Sequence, residues 1–139
     1  MKIGIMGGTF NPIHNAHLLI AEMAREEYGL DRVIFITDGN PPHKSANVTA
    51  KQRFEMTHIA IADNSAFEED DFEINRSEKS YTVNTLGYLK EKYPNDDLFF
   101  IIGEDSLNDF DKWYKPDKIL EMCSLLVFPR KSLSRLRKR

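Results

Sequence analysis

The stretch Gly7-Gly8-Thr9-Phe10-Asn11-Pro12-Ile13-His14-Asn15-Ala16-His17 joins a short apolar run, Ile3 to Met6, to a segment patterned as an amphipathic helix from near Ala16. A strand that turns at glycines into a helix start is the first half of a βαβ unit. Such a strand needs parallel neighbours and cover on both faces. The corner also leaves backbone N–H groups unpaired at the positive end of a helix, a natural place for an anion. His14 and His17 stand there three residues apart and could donate to a phosphate. Other readings of the same residues stay open: a plain tight turn, one capping and one surface histidine, or a zinc pair. No nearby cysteine or third ligand supports the zinc pair. Gly4, Gly7 and Gly8 do not make the dinucleotide fingerprint, and no phosphate-loop lysine pattern follows. Together, the glycine turn, Thr9 and H-x-x-H at a helix start favour phosphate chemistry.

The rest of the chain continues the alternation. Ala16, Leu19, Ile20, Met23 and Ala24 recur at helical spacing up to Tyr28-Gly29, and Val33 to Ile36 reads as a strand buried on both faces. A loop rich in Pro, Asn and Gly covers Asp38 to Asn47. Thr49 and Gln52 have capping-box spacing, which predicts a helix start, with Phe54, Ile61 and the Met56/Ile59/Ala60 group as its apolar side. The acidic run Glu68 to Asp71 reads as a solvated approach to a short strand near Phe72 to Ile74. Val83, Leu86 and Leu89 stripe a helix that Pro94 ends, and Leu98 to Ile102 is a buried strand closed by Gly103. Leu107, Phe110 and Trp113 fall on one short helix, Pro116 suits the first turn of another, and Ser124 to Phe128 is a last strand. The expected fold is an α/β open parallel sheet with helices on both faces.

Charge narrows how an anion could be held. The formal net charge of −3 hides six basic side chains in residues 129 to 139, and without them 13 basic residues face 22 acidic ones. Such a body does not gather phosphates or nucleic acid by its overall field, so anion binding must be local. Residues 1–129 read as one domain and residues 130–139 as a solvated basic tail, with no nucleic-acid partner expected. No apolar run is long enough to cross a membrane, and the first strand begins without a secretory leader. Cys123 is the only cysteine, which suits a reducing cytoplasm, and its apolar surroundings predict a core thiol.

The opening motif resembles the T/H-x-G-H superfamily of nucleotidyltransferases, with Asn11 and Ala16 where that superfamily more often has Asp and Gly. Three further stretches keep the order of one branch, the bacterial nicotinate-nucleotide adenylyltransferase family. They are Pro41-Pro42-His43-Lys44, Ser80-Tyr81-Thr82-Val83-Asn84-Thr85-Leu86, and Gly103-Glu104-Asp105 followed by Trp113. The resemblance runs from Met1 to about Pro129 and implies a Rossmann-like domain.

The reaction it implies is transfer of AMP from ATP to the 5′-phosphate of nicotinate mononucleotide, giving deamido-NAD and pyrophosphate in NAD biosynthesis. His14, His17 and Lys44 would be the catalytic groups, with Mg²⁺ carried on ATP. Gly7, Gly8, Thr9, Phe10, His14, His17, Gly103 and Asp105 would bind ATP. His43, Lys44, Tyr81, Thr82 and Trp113 would hold the nicotinate nucleotide. Each has a plainer reading beside it: Lys44 a solvated loop lysine, Asp105 a helix N-cap, Trp113 a buried core side chain. Family members continue past this length with a strand and an I-S-S-T-x-I-R stretch, so the resemblance implies a C-terminally shortened domain. Ser132, Ser134 and Arg137 have roughly that motif's spacing without the intervening strand. The alternatives to the full activity are a nucleotide-binding protein with weak or no catalysis, or an adenylyltransferase acting on nicotinamide mononucleotide. Oligomeric state does not follow from the sequence.

Overall fold

The computed structural model describes residues 1–8, 10, 13–39, 49–76 and 81–128. Thr9, Asn11, Pro12, residues 40–48, 77–80 and 129–139 lie outside the described residues, and with them the expected sites Thr9, His43 and Lys44. Five parallel strands, β1 (Lys2–Gly8), β2 (Arg32–Thr37), β3 (Phe67–Asp70), β4 (Asp97–Gly103) and β5 (Ser124–Phe128), lie in the order β3-β2-β1-β4-β5. The connecting helices are α1 (Asn15–Tyr28), α2 (Ala50–Ile61) and α3 (Thr82–Lys92), then α4 (Glu104–Asn108) and α5 (Pro116–Met122) between β4 and β5. The strand order reverses between β1 and β4, which makes the fold a Rossmann-like doubly wound sheet.

Strand periodicity splits the core into two layers. Ile3, Ile5, Ile34, Ile36, Leu98 and Phe100 face α3 and α5, packing on Val83, Leu86, Leu89 and Ile119. Met6, Val33, Phe35 and Ile101 face the other way, onto Ala21 and Ala24 of α1 and Ile61 of α2. The local signals read from the sequence stand at the helix ends. Gly29 takes the left-handed conformation (φ 65°) that stops α1, and Pro116 opens α5. Thr49 and Gln52 cap α2 reciprocally, with bonds of 3.1 and 3.0 Å.

Four local expectations need correction. The third strand is the acidic run itself, Phe67–Asp70, while Phe72 to Asn75 form a turn. The carboxylates tolerate strand pairing because each meets a cation or histidine: Glu68 Arg32, Glu69 His58 and Asp70 Lys92. Helix α2 turns Arg53, Thr57 and Ile61 inward, whereas Ile59 is 74% exposed and Ala60 is also outside. That face is possible because Arg53 Nη1 donates to the Asp38 carbonyl (2.7 Å) and Thr57 Oγ1 to the Arg53 carbonyl (3.1 Å). Leu107, Phe110 and Trp113 do not share one helix: α4 ends at Asn108, Phe110–Lys112 form a 3-10 turn, and Leu107 is exposed. Cys123 sits at the core margin, half-buried, with burial pushing its thiol up to about 11, which leaves it inert.

Candidate functional site

Strands β1 and β4 pair only as far as Ile5 opposite Phe100. Beyond that, β1 stays with β2 until Gly8 meets Thr37, and β4 stays with β5 until Gly103 meets Phe128. The two strands therefore part at their carboxyl ends, at the point where strand order reverses, which is where open α/β sheets bind ligands. A cavity of about 390 Å³ opens there.

Gly7 and Gly8 form the β1 side of the cavity and Gly103 and Ser106 the β4 side. A Cβ on Gly8 would stand 2.9 Å from the Phe10 ring, so glycine keeps backbone and ring in close approach. Phe10 itself is buried beneath the corner with positive φ (50°), its ring edge-on to His17 at 5.1 Å between centroids. His17 lines the cavity from the first turn of α1, and His14, the exposed N-cap of that helix, lies beside it rather than among the lining residues. The His14 backbone N–H donates to His17 Nδ1 at 3.2 Å, so the neutral His17 ring carries its proton on Nε2. Burial, and then the neighbouring His14, lower the His17 pKa below the ordinary histidine value. At neutral pH His17 is therefore an uncharged hydrogen-bond donor.

From the opposite side, Thr82 and Thr85 line the cavity from α3, and Trp113 does so from beyond the 3-10 turn. The half-buried indole packs on Phe110 (5.1 Å) and Phe100 (6.0 Å), so it is both a core-edge side chain and a cavity wall. Tyr81 is the N-cap of α3 and stacks obliquely on Tyr114 at 4.6 Å, outside the lining. Asp105 is exposed as the second residue of α4, whose N-cap is Gly103, so Asp105 is not the cap. Six expected residues thus converge on one cavity: Gly7, Gly8, His17, Thr82, Gly103 and Trp113.

Four polar residues of the wall are not among the expected site residues: Asp38, Glu73, Thr85 and Ser106. Thr85 lies one helical turn after Thr82, and that spacing was a usable signal. Asp38 opens the loop rich in Pro, Asn and Gly and Glu73 follows the acidic run, where nothing local marks burial. Burial raises Glu73 to about 7. Among the described residues no three His, Cys, Asp or Glu side chains stand together to hold a metal ion. No helix among them is long and apolar enough to cross a membrane.

The pattern of the cytidylyltransferase-like family matches residues 5–138. The chain belongs to that family. Its relatives include a Citrifermentans bemidjiense protein named "Probable nicotinate-nucleotide adenylyltransferase", 50% identical over 132 residues, which cover 94% of this chain and 61% of the relative. A Geobacter sulfurreducens protein of the same name is also 50% identical, over the same shares. The chain thus spans about three fifths of the length of these curated relatives. Among solved structures, Plasmodium falciparum nicotinic acid mononucleotide adenylyltransferase complexed with NaAD superposes with a TM-score of 0.79 at 23% identity. The match covers 96% of this chain and 70% of that one. At that identity the likeness speaks for the cytidylyltransferase-like fold alone.

Proposed function

We propose that this chain carries out transfer of AMP from ATP to nicotinate mononucleotide, giving deamido-NAD and pyrophosphate. The observation that carries the reading is the cavity at the switch point. There the glycine corner with His17 faces Thr82 and Trp113, the two stretches whose motifs resemble a triphosphate site and a pyridine-nucleotide site. The names of the half-identical relatives support the same reaction.

The acceptor's 5′-phosphate is already anionic, so attack on the α-phosphorus of ATP needs no general base. The barrier lies in bringing two anions together and stabilising charge on the departing pyrophosphate. His17 Nε2–H, held by the His14 N–H bond, supplies a fixed donor without adding a competing proton acceptor on that side. Gly7 and Gly8 let phosphate approach the backbone closely, and the indole of Trp113 offers a flat face to the pyridine ring. Asp105 would accept from a ribose hydroxyl, Tyr81 would flank the ring pocket, Lys44 would reach the phosphates, and His43 would stack on or hydrogen-bond the nucleotide. Magnesium arrives with ATP as part of the substrate; the described residues form no cage of their own for it.

The test is direct. The 139-residue chain, given ATP, Mg²⁺ and nicotinate mononucleotide, should release pyrophosphate and form deamido-NAD. ATP binding with no pyrophosphate released from it in the presence of either nicotinate or nicotinamide mononucleotide would overturn the reading.

A further inference from the structure

Glu73 is a carboxyl the proposed reaction does not use, yet it is built into the cavity wall. It lies in the turn after β3, and its Oε2 accepts the Thr85 hydroxyl at 2.5 Å. Thr85 is 4% exposed and shares the cavity with Thr82 and Trp113. The backbone of Glu73 is pinned from the side of β2: a Cβ on Gly39 would stand 2.1 Å from the Glu73 carbonyl oxygen, so only glycine allows that approach. Glu73 thus lies between Gly39, just past the end of β2, and Thr85 of α3, to which its side chain is hydrogen-bonded.

A threonine hydroxyl has one proton and acceptor lone pairs. Against an ionised Glu73, Thr85 must give its proton to the carboxylate, and its lone pairs are what it can offer the cavity. Against a protonated Glu73, Thr85 can accept the carboxyl proton and turn its own O–H toward the cavity. One atom then offers either an acceptor or a donor. Resting on the reading that the acceptor is a pyridine mononucleotide, we propose that the Glu73–Thr85 pair determines ring-substituent specificity, its protonated form selecting a carboxylate and its ionised form a carboxamide.

Both forms are accessible. Burial pushes Glu73 up to about 7; the Thr85 hydrogen bond pulls down, the Asp38 charge at the end of β2 pushes up, and Arg76 in the same turn pulls down. His17 of α1 lines the same cavity. The preference should therefore move with pH across neutrality, toward the carboxylate on the acid side.

Trp113 is the only tryptophan and lines the cavity, so its fluorescence can report binding of nicotinate and nicotinamide mononucleotides to the 139-residue chain. The two ligands share ribose and 5′-phosphate, so their phosphate titration cancels in the ratio of their affinities, and comparison with Glu73→Gln, which keeps His17, separates the Glu73 contribution from that of the histidine. Between pH 6 and pH 8 that ratio is expected to shift about tenfold toward the amide ligand. Glu73→Gln, whose amide donates to Thr85 as the protonated acid does, should hold the ratio flat at its pH 6 level. Thr85→Val should also abolish the shift, and Thr85→Ser should keep it. Binding of both ligands with a flat ratio, or an unchanged shift in Glu73→Gln, would overturn the proposal while leaving the acceptor reading intact. Absence of binding by both ligands would overturn that reading and the proposal with it.

Discussion

His14 and His17 stand with ring centroids 4.0 Å apart, and the backbone N–H of the first donates to Nδ1 of the second. A helix N-cap and its third helical residue are thereby joined at the mouth of the cavity, and the electrostatics of one ring depend on the other. Burial is the larger cause of the lowered His17 pKa and the proximity of His14 the second. Replacing His14 with Ala keeps that backbone bond and removes the second imidazole. The His17 pKa should then rise toward the ordinary histidine value, read by NMR titration of the imidazole signals. An unchanged or lower value would show that burial alone sets it.

His17 itself is expected to matter to turnover far more than to folding. It is half-buried at a helix start, so truncation leaves little cavity, but it removes a donor fixed toward the phosphates. His17→Ala should lower kcat/KM by about a hundredfold or more, by analogy with loss of an oxyanion donor. Its melting temperature should stay within a few degrees of the parent's. Parent-like turnover with a normal melt would remove His17 from the proposed mechanism.

Helix α2 offers a sharper test of how its face is set. Two isoleucines two residues apart have opposite surroundings: Ile61 is 3% exposed in the core below β2, and Ile59 is 74% exposed. Ile61→Ala should destabilise by about 3 kcal/mol through lost burial and the space left behind. Ile59→Ala should change stability by less than about 0.5 kcal/mol. Urea midpoints of the two variants measure both, and equal losses would mean that α2 packs by a different face.

The same helix shows where sequence reasoning reaches its end. Apolar runs announced β1, β2, β4 and β5 because the first three are buried on both faces and β5 is partly covered, and caps such as Thr49 and Gly29 marked helix ends because their chemistry is local. Strand β3 and the inward face of α2 were missed for one shared reason. Their polar residues are stabilised by partners distant in sequence: Glu68 by Arg32, Asp70 by Lys92 and Tyr88, Arg53 by the Asp38 carbonyl. The glycine corner, Thr82 and Trp113 could be found because they lie in dense motifs. Glu73 could not, since an acid two residues beyond an acidic run reads as solvated until the fold places Thr85 and Gly39 against it.

The burial of Glu73 also has a consequence for stability, independent of any ligand. Its pKa is raised from 4.5 in the unfolded chain to about 7 in the folded one, chiefly by burial. Between those values the folded state holds the proton more tightly than the unfolded state, so stability falls as pH rises through that window. Above pH 7 the ionised, half-buried carboxylate costs up to about 3 kcal/mol relative to its protonated form. Glu73→Gln keeps the shape and a donor to Thr85 but cannot ionise. It should therefore gain stability over the parent at pH 8 and differ little from it at pH 4.5, as measured by urea unfolding at the two pH values. Because the two proteins differ only at residue 73, the difference between their two profiles isolates Glu73. A gain of equal size at both pH values would trace the effect to packing, and no gain at pH 8 would mean that the carboxylate is already compensated within the wall.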